Sequence, residues 1–265
     1  MKNKTMKQIE ILILLNILLL STSLFGQVFE PICIGEKMIF DSKILKQERE
    51  IFIKIPENYE NIDLEFPVHY VLDGEIIFNS YSAIAELKAQ NDEIPEAIIV
   101  GIPNIDRGYD LNPKANGVNF LDFMTTELIP YIDNRYRTNE NRVLVGYSMA
   151  GNFVVYTLLT GQELFNIFLS GSPYRLDMYK SELIDSFTNN LKTKKTLYTS
   201  IGSIDQTKQL EFFNTFCSRF GQENNDLLNF KYEVVVNRDH NNNFLINWQD
   251  GLDYIYRDWT KDGDK

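Results

Sequence analysis

The chain is poor in the side chains that most often hold metals or titrate near neutral pH. It has two histidines and two cysteines among 265 residues. No CxxC pair and no histidine-rich tract is present, so the sequence carries no metal-site signature and no cofactor is expected. Cys33 and Cys217 stand far apart in the chain, which leaves a disulfide and two separate buried thiols equally open. Basic residues are also few, 26 against 37 acidic ones, for a formal net charge of −11. Such an acidic chain repels phosphate backbones and anionic membrane surfaces, so nucleic acid is not an expected partner. No Pro/Gly/Ser-rich linker, repeat or low-complexity tract divides the sequence, and a single domain is the simplest reading.

Long apolar runs are missing with one exception. "ILILLNILLL", Ile11 to Leu20, follows the basic start "MKNKTMK" and precedes "STSLFGQ". That order is the layout of a secretory signal peptide. The run is shorter than the roughly 20 residues needed to span a bilayer, which makes a retained anchor the weaker reading. Cleavage after Gly26 leaves residues 27–265 as a periplasmic or extracellular chain with no stable membrane anchor. Loss of Lys2, Lys4 and Lys7 against Glu10 makes that chain more acidic still.

What the remainder does contain is an alternation of strand and helix signals. "REIFIKIP" (residues 49–56) alternates polar and apolar residues as a half-buried strand near a sheet edge does. Short apolar runs predict further strands over residues 66–74, 96–102, 141–146, 166–171, 196–202 and 230–236. Helix-length segments, such as residues 118–136 and 206–221, lie between them. Buried strands alternating with helices mean an α/β protein with a mostly parallel twisted sheet covered on both faces. Ligands in such sheets sit beyond the carboxyl ends of the strands.

"GYSMAG", Gly146 to Gly151, falls at such a strand end and opens a helix. This is the context of a nucleophile elbow, in which small flanking residues permit a turn so tight that the serine is held above the sheet. Ser148 is therefore the candidate nucleophile, against the plain alternative of a helix cap. A nucleophilic serine needs a base, and the two histidines make the search short. His69 lies mid-strand in "FPVHYVLDG" and reads as a buried, hydrogen-bonded core residue. His240, in "NRDHNNNF" just after the last strand, is the candidate base. Asp205, in the loop after the penultimate strand, is the candidate acid, although it could equally cap the helix that follows. Glu211 and Asp239 are the fallbacks.

"ILKQEREIFIKIPENYENIDLEFPVHYVLDGEIIF", "IIVGIPNIDRGYDLNP", "GYSMAG" and "DHNNNF" together resemble the esterase D-type esterases of the α/β-hydrolase fold. That group includes S-formylglutathione hydrolases, feruloyl esterases, siderophore (enterobactin-type) esterases and mycolyltransferases, and the exported siderophore-esterase-like members are the nearest echo. The resemblance implies a serine esterase without a separate lid domain and with no cofactor. The substrate it implies is a small-molecule or polymer-linked carboxylic ester. It implies that the backbone N–H groups of Met149 and Glu75 form the oxyanion hole, where "LDG" could otherwise be a plain turn. Arg107, Tyr147 and Tyr174 are the candidates to line the substrate cleft; Arg107 and Asp110 could instead brace their loop through salt bridges. Acyl transfer to a sugar or alcohol, and a non-catalytic binding module on the same fold, remain the alternatives. Oligomeric state is not legible.

Overall fold

β3 (Phe66–Leu72) is buried at every position, and that single fact explains why its sequence shows no polar alternation. A strand covered on both faces needs apolar residues on both. The computed structural model describes residue 6 and residues 33–61, 63–223 and 225–261. The signal-peptide reading of residues 1–26 therefore lies outside the described residues, Met6 apart.

The other strands are β1 (Glu36–Ser42), β2 (Gln47–Lys54), β4 (Ile98–Ile102), β5 (Thr138–Tyr147), β6 (Ile167–Gly171), β7 (Lys195–Gly202) and β8 (Leu228–Val235). They form one eight-stranded sheet in the order β1-β2-β4-β3-β5-β6-β7-β8. β1 and β2 run antiparallel to their neighbours, and β4 through β8 pair in parallel, with β3 between β4 and β5. This is the α/β-hydrolase arrangement that the resemblance implied. β1 was not expected from the sequence: "EKMIFDS" mixes charges with apolar residues because only one side of this edge strand is sheltered.

Successive side chains of each strand enter different layers. Val71, Ile99, Val143, Val145 and Leu169 face one layer with Ile77, Phe78 and Tyr81 of α1 (Gly74–Gln90) and Trp248 and Leu252. Tyr70, Val100, Leu144 and Phe168 face the other layer. There they meet Phe120 and Phe123 of α2 (Gly117–Phe123). The expected helix over residues 118–136 is α2 followed by a π turn at Met124–Leu128 and α3 (Ile129–Arg135). Pro130, which has no N–H to donate, sits at the start of α3 and accounts for the change of pitch.

α4 (Met149–Leu159) is buried along nearly its whole length, so it reads as apolar all round. The β6 to β7 crossover holds a 3-10 turn (Leu176–Met178) and α5 (Ser181–Asn189), and nothing the size of a lid domain. α6 (Thr207–Phe220) precedes β8 and α7 (Phe244–Ile255) follows it. The described residues from Ile34 onward cluster as one compact unit. Cys33 and Cys217 are both free thiols, one exposed and one buried. No helix among the described residues is long and apolar enough to cross a membrane.

One buried ion pair ties the sheet to the loop that follows β4. The Arg49 guanidinium donates to Asp110 at 2.8 Å and to the Pro103 carbonyl at 3.1 Å, and both side chains are almost wholly shielded from solvent. Removing one partner of such a pair leaves an uncompensated buried charge, which costs about 3–5 kcal/mol. Urea unfolding should show a loss of that order in Arg49→Met. The exposed Lys37–Glu50 pair should contribute less than about 1 kcal/mol when Lys37→Met removes it.

Candidate active site

Ser148 occupies the corner between β5 and α4 with φ 59° and ψ −116°, a conformation that an L-residue adopts only under constraint. Three hydrogen bonds supply the constraint. The Ser148 N–H donates to the Gly171 carbonyl at 2.8 Å, and its own carbonyl accepts from Asn152 N–H at 2.9 Å and Tyr174 N–H at 3.0 Å. Gly146 is required by close approach: a Cβ there would lie 2.5 Å from the Ala150 carbonyl oxygen and 3.0 Å from the Ala150 Cβ. Alanine at position 150 therefore fits this elbow because position 146 has no side chain.

His240 Nε2 lies 3.0 Å from Ser148 Oγ, and its Nδ1 lies 3.1 Å from Asp205 Oδ2. An ionised Asp205 only accepts, which places the ring proton on Nδ1 and leaves Nε2 to accept from the serine hydroxyl. Asp205 is buried, and its other oxygen accepts the Gln206 N–H at 2.7 Å; it does not cap α6, whose cap position is Gln206 with no side-chain cap hydrogen bond. Glu211 is exposed on α6. Asp239 turns away from the ring and caps the N–H groups of Asn241 and Asn242 at 2.8 and 3.0 Å.

The histidine loop reaches Asp205 across the end of β7. A Cβ at Gly202 would stand 2.1 Å from the Arg238 carbonyl oxygen, so glycine lets the two backbones cross. The loop is further fixed by Tyr147, whose hydroxyl donates to the His240 carbonyl at 2.7 Å and meets Ser172 Oγ at 3.0 Å. Burial pushes the Tyr147 phenol up to about 12, which keeps it a donor at neutral pH. Tyr147, the candidate for the cleft wall, is mostly buried, with its hydroxyl engaged within the protein and its ring 5.4 Å from that of His240. Asn243, fully buried, continues the same network to Ser200 Oγ at 3.2 Å. Asn243 was not singled out from the sequence, where its only signal was the asparagine run behind His240, and Tyr147 was singled out for the cleft and not as a brace.

Met149 is the first residue of α4 and Glu75 the second of α1, and N–H groups in a first helical turn have no intrahelical acceptor. Asp73, at φ 52°, precedes α1. Arg107 grips the Asp73 carboxylate through Nε at 2.8 Å and a terminal nitrogen at 2.7 Å. The same guanidinium reaches the Tyr147 carbonyl at 3.2 Å. Arg107 therefore joins the turn before Glu75 to the residue before Ser148, while about a third of its side chain remains exposed. Asp110 does not reach the cleft; it is the buried partner of Arg49. Tyr174 is 41% exposed beside the serine backbone it bonds.

His69 is the buried core histidine that its strand position suggested. Its ring nitrogens lie 2.7 Å from the Tyr256 hydroxyl and 2.8 Å from that of Tyr81. Desolvation lowers its pKa to about 3, so it stays neutral. A cavity of about 840 Å³ opens near Ile94, Ile255 and Trp259 at the amino-terminal end of the strands, remote from Ser148.

Two curated proteins of Bacillus subtilis match part of the chain. The uncharacterized protein YbbA is 25% identical over 133 residues, 44% of this chain and 53% of YbbA. Ferri-bacillibactin esterase BesA is 24% identical over 137 residues, 41% of this chain and 47% of BesA. The matched segment thus spans about half the length of either relative. The crystal structure of an IroE-like serine hydrolase from Shewanella oneidensis superposes with a TM-score of 0.79 at 25% identity, covering 84% of this chain and 80% of that one. The model of the family described as "Putative esterase" matches residues 42–210, more than half of the chain, and the protein belongs to that esterase family.

Proposed function

We propose that the protein is a serine hydrolase that cleaves a carboxylic ester through an acyl-serine intermediate. The observation that carries this reading is the continuous hydrogen-bonded series from Ser148 through His240 to Asp205. In the reaction, His240 Nε2 takes the Ser148 proton as Oγ attacks the ester carbonyl. The Met149 and Glu75 N–H groups face the developing oxyanion, aided by the amino end of α4. His240 then returns the proton to the departing alcohol, and water repeats the sequence to release the acid. Asp205 holds the imidazole in the right tautomer and stabilises its charged form.

For the substrate we propose an ester of the siderophore type, or an aromatic or carbohydrate-linked ester. Support comes from the names of BesA and the IroE-like hydrolase and from a crossover too short to close a lid over a lipid-like chain. We also propose that the segment through Gly26 directs export. Intact-mass measurement of the protein from its native envelope fraction should find a chain beginning near residue 27; a full-length species would refute export.

Residues that act as a unit are not additive. Ser148→Ala and His240→Ala should each lower kcat by several orders of magnitude, and the double variant should lose little more. A panel of acetyl, butyryl, feruloyl and catecholate-lactone esters supplies the assay. Fluorophosphonate labelling of Ser148 separates an enzyme from a binding module on the same fold.

Asp205→Asn should fold normally and lose at least roughly a hundredfold in kcat, with Glu211→Gln close to wild type. A loss confined to the Glu211 variant would transfer the role of the acid to it. No loss in either would leave a Ser148–His240 dyad.

A further inference from the structure

β8 ends the sheet, with β7 as its neighbour on one side and no strand among the described residues on the other. Its register with β7 is unbroken from Lys195↔Leu228 to Gly202↔Val235. It contains no proline and no bulge, two of the devices that blunt an edge, and the charges it carries are Lys231 and Glu233. Apolar side chains stand exposed along it, Tyr232 at 42%, Val234 at 36% and, just beyond, Val236 at 73%. Lys195 and Ser203 donate to the carbonyls of Leu227 and Val235, so those residues turn their polar groups toward β7. Backbone groups alternate in direction along a strand. The N–H and C=O groups of Phe230, Tyr232 and Val234 therefore point away from the sheet.

We propose that this edge binds the same edge of a second copy of the chain, antiparallel about a two-fold axis at Tyr232, so that two sheets become one. Charge selects the register. An axis at Lys231 would set that lysine against its own copy, and an axis at Glu233 would do the same for the glutamate; like charges directly opposite destabilise a pair. An axis at Tyr232 sets Lys231 opposite Glu233 of the second copy, and Glu233 opposite its Lys231. Both side chains are partly exposed, at 43% and 32%, and already bridge within the strand at 2.6 Å, so pairing would join two bridges into a four-charge cluster. In the same register Phe230 faces Val234, Tyr232 faces its own copy, and the outward N–H and C=O groups of these residues are satisfied. The contact is isologous and closes on itself, as a dimer interface must. It does not depend on the ester chemistry.

Sedimentation of the purified protein should give twice the monomer mass. Val234→Pro should be monomeric while keeping its ester turnover and unfolding temperature, because the N–H it lacks faces outward and the ladder to β7 is untouched. Lys231→Glu should also dissociate the dimer, and the exchange Lys231→Glu with Glu233→Lys should restore it. A wild-type monomer at every concentration overturns the proposal, as does a dimer that persists in Val234→Pro. If Val234→Pro does not fold, the charge variants decide: an unchanged dimer in Lys231→Glu overturns the proposal, and rescue by the exchange supports it.

Discussion

The backbone of Ser148 is held where an L-residue does not go unaided, and most of the surrounding structure serves to keep it there. A left-handed φ of 59° costs about 1–3 kcal/mol. The Gly171 carbonyl on β6 and the N–H groups of Asn152 and Tyr174 lock the residue from three directions. Gly146 and Ala150 touch across the turn, which leaves no room for a relaxed alternative. The strain is confined to one residue, and its effect is to hold Oγ at the carboxyl end of the sheet, in reach of a loop that enters from the far side.

A second strained turn shares the same clamp. Asp73 is also left-handed, and Arg107 binds its carboxylate in bidentate fashion while touching the Tyr147 carbonyl. One guanidinium thus sets the distance between the two turns that carry the Glu75 and Met149 N–H groups. The Arg107 loop is anchored in turn by the buried Arg49–Asp110 pair. A pair so deeply shielded stabilises little by itself, because desolvation offsets much of the attraction. Its consequence is positional: the loop cannot leave without stranding a charge.

The two histidines show how environment assigns a role to one side chain. His69 is enclosed between Tyr81 and Tyr256, where burial holds it neutral. His240 stands in a loop with one nitrogen toward a carboxylate and the other toward the serine, a third of it open to solvent. Tyr147, Ser172 and Asn243 brace that loop from beneath.

Local constraints made much of this legible in the sequence alone. Apolar runs and helix-length intervals specified an α/β sheet because burial on two faces demands them. The elbow could be read because a turn that tight admits only small neighbours, and His240 because the chain has just one other histidine. Strand positions came out within a few residues, except for β1, whose exposed edge carries no apolar signature. Tertiary structure alone decided the rest. The strand order, the braces from Tyr147 and Asn243, and the clamp through Arg107 depend on side chains that meet across the fold. Ser148 and His240 are 92 residues apart, and Asp205 and His240 are 35 apart. Periodicity and turn chemistry act over one helical turn or one hairpin, whereas contacts at such separations exist only once the sheet has brought the carboxyl ends of its strands together.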